Sequence, residues 1–307
     1  MKAKLICFSQ SGNTQSIAQD IAAGIGNQGD ECEIVDMLKS DPSHSLDCDL
    51  LGIGSPVFYY KEPFHVAAFI DALPAGEGRH AFVFVTHGTV PGVALESMWK
   101  RLAVKGYLVL GAHSSYADGA LPFYPHPVLT TGHPDAQDHL DAVTFGEEIS
   151  VASNRVVAGD SSLIPEPITA REGWWQEEAR IISPEVLSQV FPQMTINQEK
   201  CIQCMACEQE CPVAGIGVLE SPPRIQDPCV YCFHCAKICP EVAIEADWAE
   251  LIASAPETFE KYGKVLADAE ARGEFPRRYV DPDSINFDLP YVEQRKRKLA
   301  ERNRAEE

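Results

Sequence analysis

Eight of the chain's eleven cysteines stand in two runs of identical spacing. The first is Cys201-x-x-Cys204-x-x-Cys207-x-x-x-Cys211-Pro212, and the second is Cys229-x-x-Cys232-x-x-Cys235-x-x-x-Cys239-Pro240. This arithmetic restricts the region more than any other feature of the sequence. A disulfide framework belongs to small secreted chains, whereas tight cysteine clusters within 307 residues point to metal in a reducing compartment. Structural zinc takes four ligands, commonly one C-x-x-C pair and a second pair further on. Two complete four-cysteine copies, each closed by proline, do not follow that pattern. The duplication extends beyond the ligands, because each run is followed by a short apolar stretch, Val213 to Ile216 or Val242 to Ile244. Two similar sites related by a pseudo-twofold axis are predicted.

This portion of about fifty residues resembles bacterial 2[4Fe-4S] ferredoxins, whose signature the runs match without departure. Three closely spaced thiolates wrap one face of an iron cubane, and in that family the fourth comes from the other run. The resemblance therefore implies one [4Fe-4S] cluster on Cys201, Cys204, Cys207 and Cys239, and a second on Cys229, Cys232, Cys235 and Cys211. It also implies low-potential one-electron transfer. His234 lies between two of these ligands, but with eight thiolates present it is read as a neighbour, not a ligand.

The first half follows a different logic. Apolar runs at Leu5 to Phe8, Cys32 to Val35, Leu50 to Ile53, Ala81 to Val85 and Tyr107 to Gly111 alternate with segments of helical periodicity. Ile17, Ile21 and Ile25 make one such face, and Val66, Phe69, Ile70 and Leu73 another. A further helix is read over Asp135 to Val157, with Leu140, Val143 and Ile149 on its apolar side. The β-α-β-α-β order predicts an α/β doubly wound parallel sheet. Cys7, Cys32 and Cys48 read as buried strand or loop residues.

Three loops at strand ends carry candidate ligand groups. The first, Ser9-Gln10-Ser11-Gly12-Asn13-Thr14, is rich in hydroxyls and opens onto a helix, an arrangement able to cage a phosphate. The second is Ser55-Pro56-Val57-Phe58-Tyr59-Tyr60, and the third is Thr86-His87-Gly88-Thr89 with Gly92. The first loop resembles the T/S-x-T/S-G-x-T phosphate loop of flavodoxins, with Ser9, Ser11, Asn13 and Thr14 at matching positions and serines replacing the commoner threonines. That resemblance, over residues 1–158, implies strand order 2-1-3-4-5 and FMN at the switch point between the first and third strands, where the loops converge. The second and third loops would then line the isoalloxazine, with His87 beside it. The long segment Ser115 to Pro134, with Tyr116, Phe123, Tyr124 and His126, is open to two readings: the edge of the flavin, or a stiff surface cover.

Four segments are expected: a flavodoxin-like FMN-binding domain at 1–158, a linker packed on a domain surface at 159–194, a 2[4Fe-4S] ferredoxin domain at 195–247, and a partly helical C-terminal extension at 248–307. Trp174 and Trp175 argue that the linker packs against something. The net charge of −20 argues against nucleic acid as partner. No apolar run approaches the length of a membrane helix, and the expected compartment is cytoplasmic. The whole resembles flavodoxin-ferredoxin fusion proteins, which implies an electron carrier serving an external redox protein. The alternative is a flavin-dependent reductase of a small molecule, fed by the clusters.

Overall fold

The computed structural model describes residues 1–42, 47–274 and 280–306. Residues 275–279 and 307 of the C-terminal extension lie outside that description. The chain forms two compact units, one of residues 1–118 and 132–180, the other of residues 119–131 and 181–307. None of the eleven cysteines is in a disulfide. No helix among the described residues is long and apolar enough to cross a membrane.

In the first unit, β1 (Lys2–Cys7), β2 (Glu31–Asp36), β3 (Leu50–Pro56), β4 (His80–His87) and β5 (Leu108–Tyr116) make one parallel sheet in the order 2-1-3-4-5. This is the flavodoxin-like doubly wound fold. Helices α1 (Asn13–Asn27) and α4 (Ala136–Val157) cover one face, and α2 (Phe64–Ala72) and α3 (Ala94–Val104) the other. All eight residues of β4 are buried, as a strand covered on both faces requires. Ile17, Ile21 and Ile25 pack beneath α1, and Val66, Phe69, Ile70 and Leu73 at α2, as their spacing predicts.

The apolar side predicted for α4 is corrected in part. Ile149 is buried, but Leu140 is 55% exposed, and the seam is instead Ala142, Gly146, Ile149, Ser150 and Ser153. The reason is backbone proximity. A Cβ on Gly24 would strike the Val143 carbonyl oxygen, and one on Gly146 the Ile21 carbonyl oxygen. α1 and α4 therefore meet through small residues, which a search for large apolar side chains overlooks.

Trp174 and Trp175 pack in this unit, 5.6 Å apart between ring centroids, with Trp174 set edge-on to Tyr60 at 5.0 Å. The Trp175 indole N–H donates to the Arg171 carbonyl at 3.1 Å. Short helices α5 (Trp175–Ile181) and α6 (Pro184–Val190) follow.

The second unit contains β6 (Thr195–Ile196), α7 (Ala206–Gln209), β7 (Ile216–Gly217), β8 (Arg224–Ile225), α8 (His234–Ile238), β9 (Ile244–Glu245), α9 (Ala249–Ala271) and α10 (Tyr291–Glu306). β6 pairs with β9, and β7 with β8, both antiparallel. Its core brings Ile196, Ile216, Val218, Phe233, Ile244 and Trp248 together with Phe123. Neither reading of the 115–134 segment anticipated this, because residues 119–131 contribute to the core of the cysteine-bearing unit. Phe123 is 2% exposed, and its ring meets Phe233 edge-on at 5.3 Å and Trp248 at 5.7 Å. The backbone is strapped as well. Tyr291 N–H donates to the Tyr124 carbonyl at 2.7 Å, and Val292 N–H to that of Pro122 at 2.9 Å.

Candidate cofactor sites

In a parallel sheet every strand ends at the same edge, so the loops after β1, β3 and β4 rise side by side. Gly12 caps α1 with φ +92°, a left-handed backbone natural to glycine. Ser9 Oγ accepts the Gln15 N–H at 3.1 Å, and the Ser16 N–H donates to the Gly12 carbonyl at 2.9 Å. The Asn13 and Thr14 amides open the helix and have no acceptor one turn back within it. Gln10 Nε2 is buried and finds no acceptor among the described residues. An orphaned donor beside a helix N-terminus suits a phosphate, which supplies acceptor oxygens and negative charge. Ser11 is exposed.

Hydrogen bonds tie the loops to one another. The buried Thr14 and Thr86 hydroxyls are 2.8 Å apart, joining the first loop to the third. Asn13 Nδ2 donates to the Asp118 carbonyl at 3.3 Å. Ser55 is fully buried and donates its hydroxyl to the Pro56 carbonyl at 2.8 Å, so it sits in the interior at the strand end. Phe58 and Lys61 exchange backbone bonds at 2.9 and 3.1 Å around Tyr59 and Tyr60, whose φ values are +50° and +66°. Two bulky residues in this region store roughly 1–3 kcal/mol each, held here by the packing of Phe58 against Phe8 and of Tyr60 against Trp174. Gly92, at φ +59°, lies against this turn, and a Cβ there would strike the Tyr60 carbonyl oxygen. Pro56, Val57, Gly88 and Thr89 are half-buried along the same edge.

His87 is 5% exposed, and its Nδ1 is buried without a partner among the described residues. Burial pushes its pKa down to about 3, with Asp138 opposing weakly. The ring is therefore a neutral imidazole near pH 7. Its centroid is 4.7 Å from Tyr116, whose ring lies 5.5 Å from His133, and His133 Nδ1 is 2.6 Å from Asp138 Oδ2. The sequence reading missed Tyr116, His133 and Asp138 as a group, since only the β5 register and the return of the chain at residue 132 assemble them.

The cysteines of the second unit line two cavities that are partly open to solvent. Cys201, Cys204, Cys207 and Cys239 line one, together with Ile196, Val218 and Ile244. Cys207, Cys211, Cys229, Cys232 and Cys235 line the other. Each cavity thus gathers three thiols of one run with at least one of the other, and Cys207 lines both. The duplication is visible in the backbone, where Gln203, Met205 and Ala214 take φ of +55°, +64° and +53°, and their repeat partners Tyr231, Phe233 and Val242 take +51°, +56° and +49°. These left-handed residues turn amides toward sulfur. Gly215 N–H donates to Cys211 Sγ and Ala243 N–H to Cys239 Sγ, both at 3.2 Å, and Tyr231 N–H to Cys229 Sγ at 3.4 Å.

Burial pushes the Cys207 and Cys232 thiols up to about 11 and raises Cys229 and Cys235. Like charges add to this: Cys239, Cys201 and Cys204 act on Cys207, while Cys211 acts on Cys229 and Cys232. Four thiolates in such a cavity need a cationic centre among them, and an iron cluster fits that donor set. His234 is buried, with Nε2 3.5 Å from Glu210 and Nδ1 unpartnered among the described residues.

The family model for a 4Fe-4S binding domain matches residues 194–216. A search of curated proteins returns no match. Among solved structures, the chain is similar to a flavodoxin from the domain Archaea, with 18% identity over 50% of this chain and 99% of that one and a TM-score of 0.40. It is also similar to the two-electron reduced flavodoxin of Megasphaera elsdenii, at 20% identity over 48% and 98% of the two chains, TM-score 0.39. Oxidised flavodoxin 1 from Bacillus cereus gives 22% over 48% and 97%, TM-score 0.39. The chain joins a flavodoxin-like fold to a domain carrying a 4Fe-4S binding motif.

Proposed function

We propose that this protein is an electron carrier that binds FMN at the carboxyl edge of its sheet and two [4Fe-4S] clusters in its second unit, and that exchanges electrons with an external redox protein. The observation that carries the reading is the pair of cavities, each lined by three thiols of one cysteine run together with thiol from the other run. Cys201, Cys204, Cys207 and Cys239 would hold one cluster, and Cys229, Cys232, Cys235 and Cys211 the second. Such clusters pass single electrons, and a flavin exchanges one or two.

The chain's own residues supply binding and electrostatics. The Gly215, Tyr231 and Ala243 amides donate to ligand sulfurs, which stabilises negative charge on them and favours the reduced state. Ile196, Val218, Phe233 and Ile244 keep the cavities apolar. Around the flavin, Gln10 Nε2 and the amides opening α1 would bind the phosphate, while the turn at Tyr59 and Tyr60 and the strand end at Thr86 and His87 would flank the ring. His87, being neutral, offers the flavin a hydrogen-bond partner without a fixed charge.

The test is an ultraviolet-visible spectrum of anaerobically purified protein with iron, sulfide and flavin analysis. About eight iron and eight sulfide and one FMN per chain are expected. Zinc in place of iron, or a flavin site that stays empty when FMN is added, would sink the proposal. Anaerobic stopped-flow then separates a carrier from a reductase, since a carrier is reoxidised by protein acceptors and turns over no small organic molecule.

A further inference from the structure

The C-terminal helix carries no recognisable motif, yet one of its side chains reaches a cluster ligand. Arg295 on α10 donates through Nη1 to the Ala236 carbonyl at 2.9 Å and through Nη2 to the Cys239 carbonyl at 2.6 Å. Cys239 is the C-terminal cap of α8, where backbone carbonyls carry the partial negative charge of the helix end. The guanidinium thus lies across that end with two of its donors engaged. We propose that Arg295 is a positioning residue for the cluster on Cys201, Cys204, Cys207 and Cys239, and that its charge raises that cluster's reduction potential above that of the other. The inference rests on the ligand reading above.

Three observations support it. First, α10 is fixed in place. Its N-terminal backbone is bonded to the Tyr124 and Pro122 carbonyls, and Gln294 Nε2 donates to the His126 carbonyl at 2.7 Å. Second, Val292, Arg295, Leu299 and Arg302 recur at intervals of three and four and so share one face of the helix. Val292 and Leu299 pack into the unit's core, and Arg302 pairs with Glu241 at 2.8 Å, two residues past Cys239. The face is therefore directed at the 236–241 segment, while Lys296, on the exposed side, pairs with Glu293 at 2.7 Å and acts on Glu245 through its charge. Third, the arrangement breaks the pseudo-symmetry of the repeat. The Cys211 carbonyl accepts the Ala214 N–H at 3.3 Å, and the Cys239 carbonyl accepts the equivalent Val242 N–H at 3.2 Å, but Cys239 accepts the guanidinium as well. Reduction adds one electron, and hence one negative charge, to a cluster. A half-buried cation nearby favours the reduced form, because interior charges are weakly screened.

The experiment is an anaerobic redox titration of the full-length protein with dithionite, followed by electron paramagnetic resonance. The variants are Arg295→Gln, Arg295→Lys and Lys296→Gln. In the unaltered protein two one-electron couples should separate. In Arg295→Gln the upper couple should fall by about 59 mV, equal to a tenfold shift in the oxidised-to-reduced ratio, while the lower couple moves much less. Arg295→Lys, which keeps the charge, should restore most of the potential, and Lys296→Gln, with the same change in net charge, should leave both couples in place. Loss of one cluster in Arg295→Gln with retention in Arg295→Lys would also support the assignment. Coincident couples in the unaltered protein, an unmoved upper couple in Arg295→Gln, or loss of the cluster in both Arg295 variants would overturn it. Iron analysis precedes the titration, so an unaltered chain lacking about eight iron marks failure of the ligand reading itself and removes the basis of this inference.

Discussion

Removing the Phe123 ring should open the cysteine-bearing unit, although Phe123 lies far upstream of Cys201. The side chain is 2% exposed and surrounded by Tyr124, Phe233, Trp248 and Phe191, with centroids at 4.9, 5.3, 5.7 and 6.1 Å. Two of these contacts, with Tyr124 and Phe233, are edge-to-face, a geometry that adds to the value of buried area. Phe233 is fully buried and stands between Cys232 and Cys235, so a cavity beside it loosens both cysteines. A buried Phe→Ala change costs about 3–5 kcal/mol. Taking about 4 kcal/mol, the open population of the unit should rise about a thousandfold. The assay is the rate at which visible cluster absorbance bleaches in sub-denaturing urea with an iron chelator, which follows the open population when reclosing is fast. Phe123→Ala should bleach about a thousand times faster. An unchanged bleaching rate, with destabilisation confined to the α/β unit, would refute the placement of residues 119–131.

If ligation crosses the repeat as proposed, Cys239→Ala should remove about four of about eight iron while the cluster on Cys211, Cys229, Cys232 and Cys235 survives. Iron analysis with paramagnetic resonance checks it, and loss of the Cys229 set instead would contradict the assignment. A Cβ added at Gly12 meets nothing within 4 Å, so the cost of Gly12→Val comes chiefly from the left-handed backbone, about 1–2 kcal/mol. Flavin affinity, read by fluorescence quenching, should weaken roughly tenfold with both clusters retained. Burial pushes His65 and His113 down to about 4 and His87 to about 3. The unfolded chain therefore binds more protons between about pH 6.5 and pH 4, and stability of the α/β unit is full above that window and falls as pH drops through it, by up to about 1.4 kcal/mol per pH unit for each histidine. Urea denaturation at pH 7 and pH 5 should reveal this loss, and His65→Leu should lessen it; a flat profile would refute the burial argument.

Local pattern was sufficient for much of this molecule. The apolar runs required a sheet covered on both faces, since only that environment tolerates strands such as Ala81 to Val85 without a polar side. The cysteine spacing required a metal site because thiolates repeated at that interval have few other uses, and the repeat also registers in the matched left-handed residues of each half. Ser9 to Thr14 could be placed at a strand-to-helix turn from periodicity alone.

What local pattern could not supply depends on residues distant in sequence becoming neighbours. The seam between α1 and α4 closes at Gly24 and Gly146, whose role is visible only when two backbones meet. Phe123 reads as one more apolar residue of a loop until Phe233 and Trp248 close around it. The group formed by His87, Tyr116, His133 and Asp138 needs β4 and β5 in register and the chain's return at residue 132. Arg295 has no signature, because its role comes from two carbonyls some sixty residues earlier that only the folded backbone presents to it. Chemistry that depends on spacing along the chain was written in the sequence, whereas chemistry that depends on spacing across it was decided by the fold, because contact between remote segments is a property of packing and not of local order.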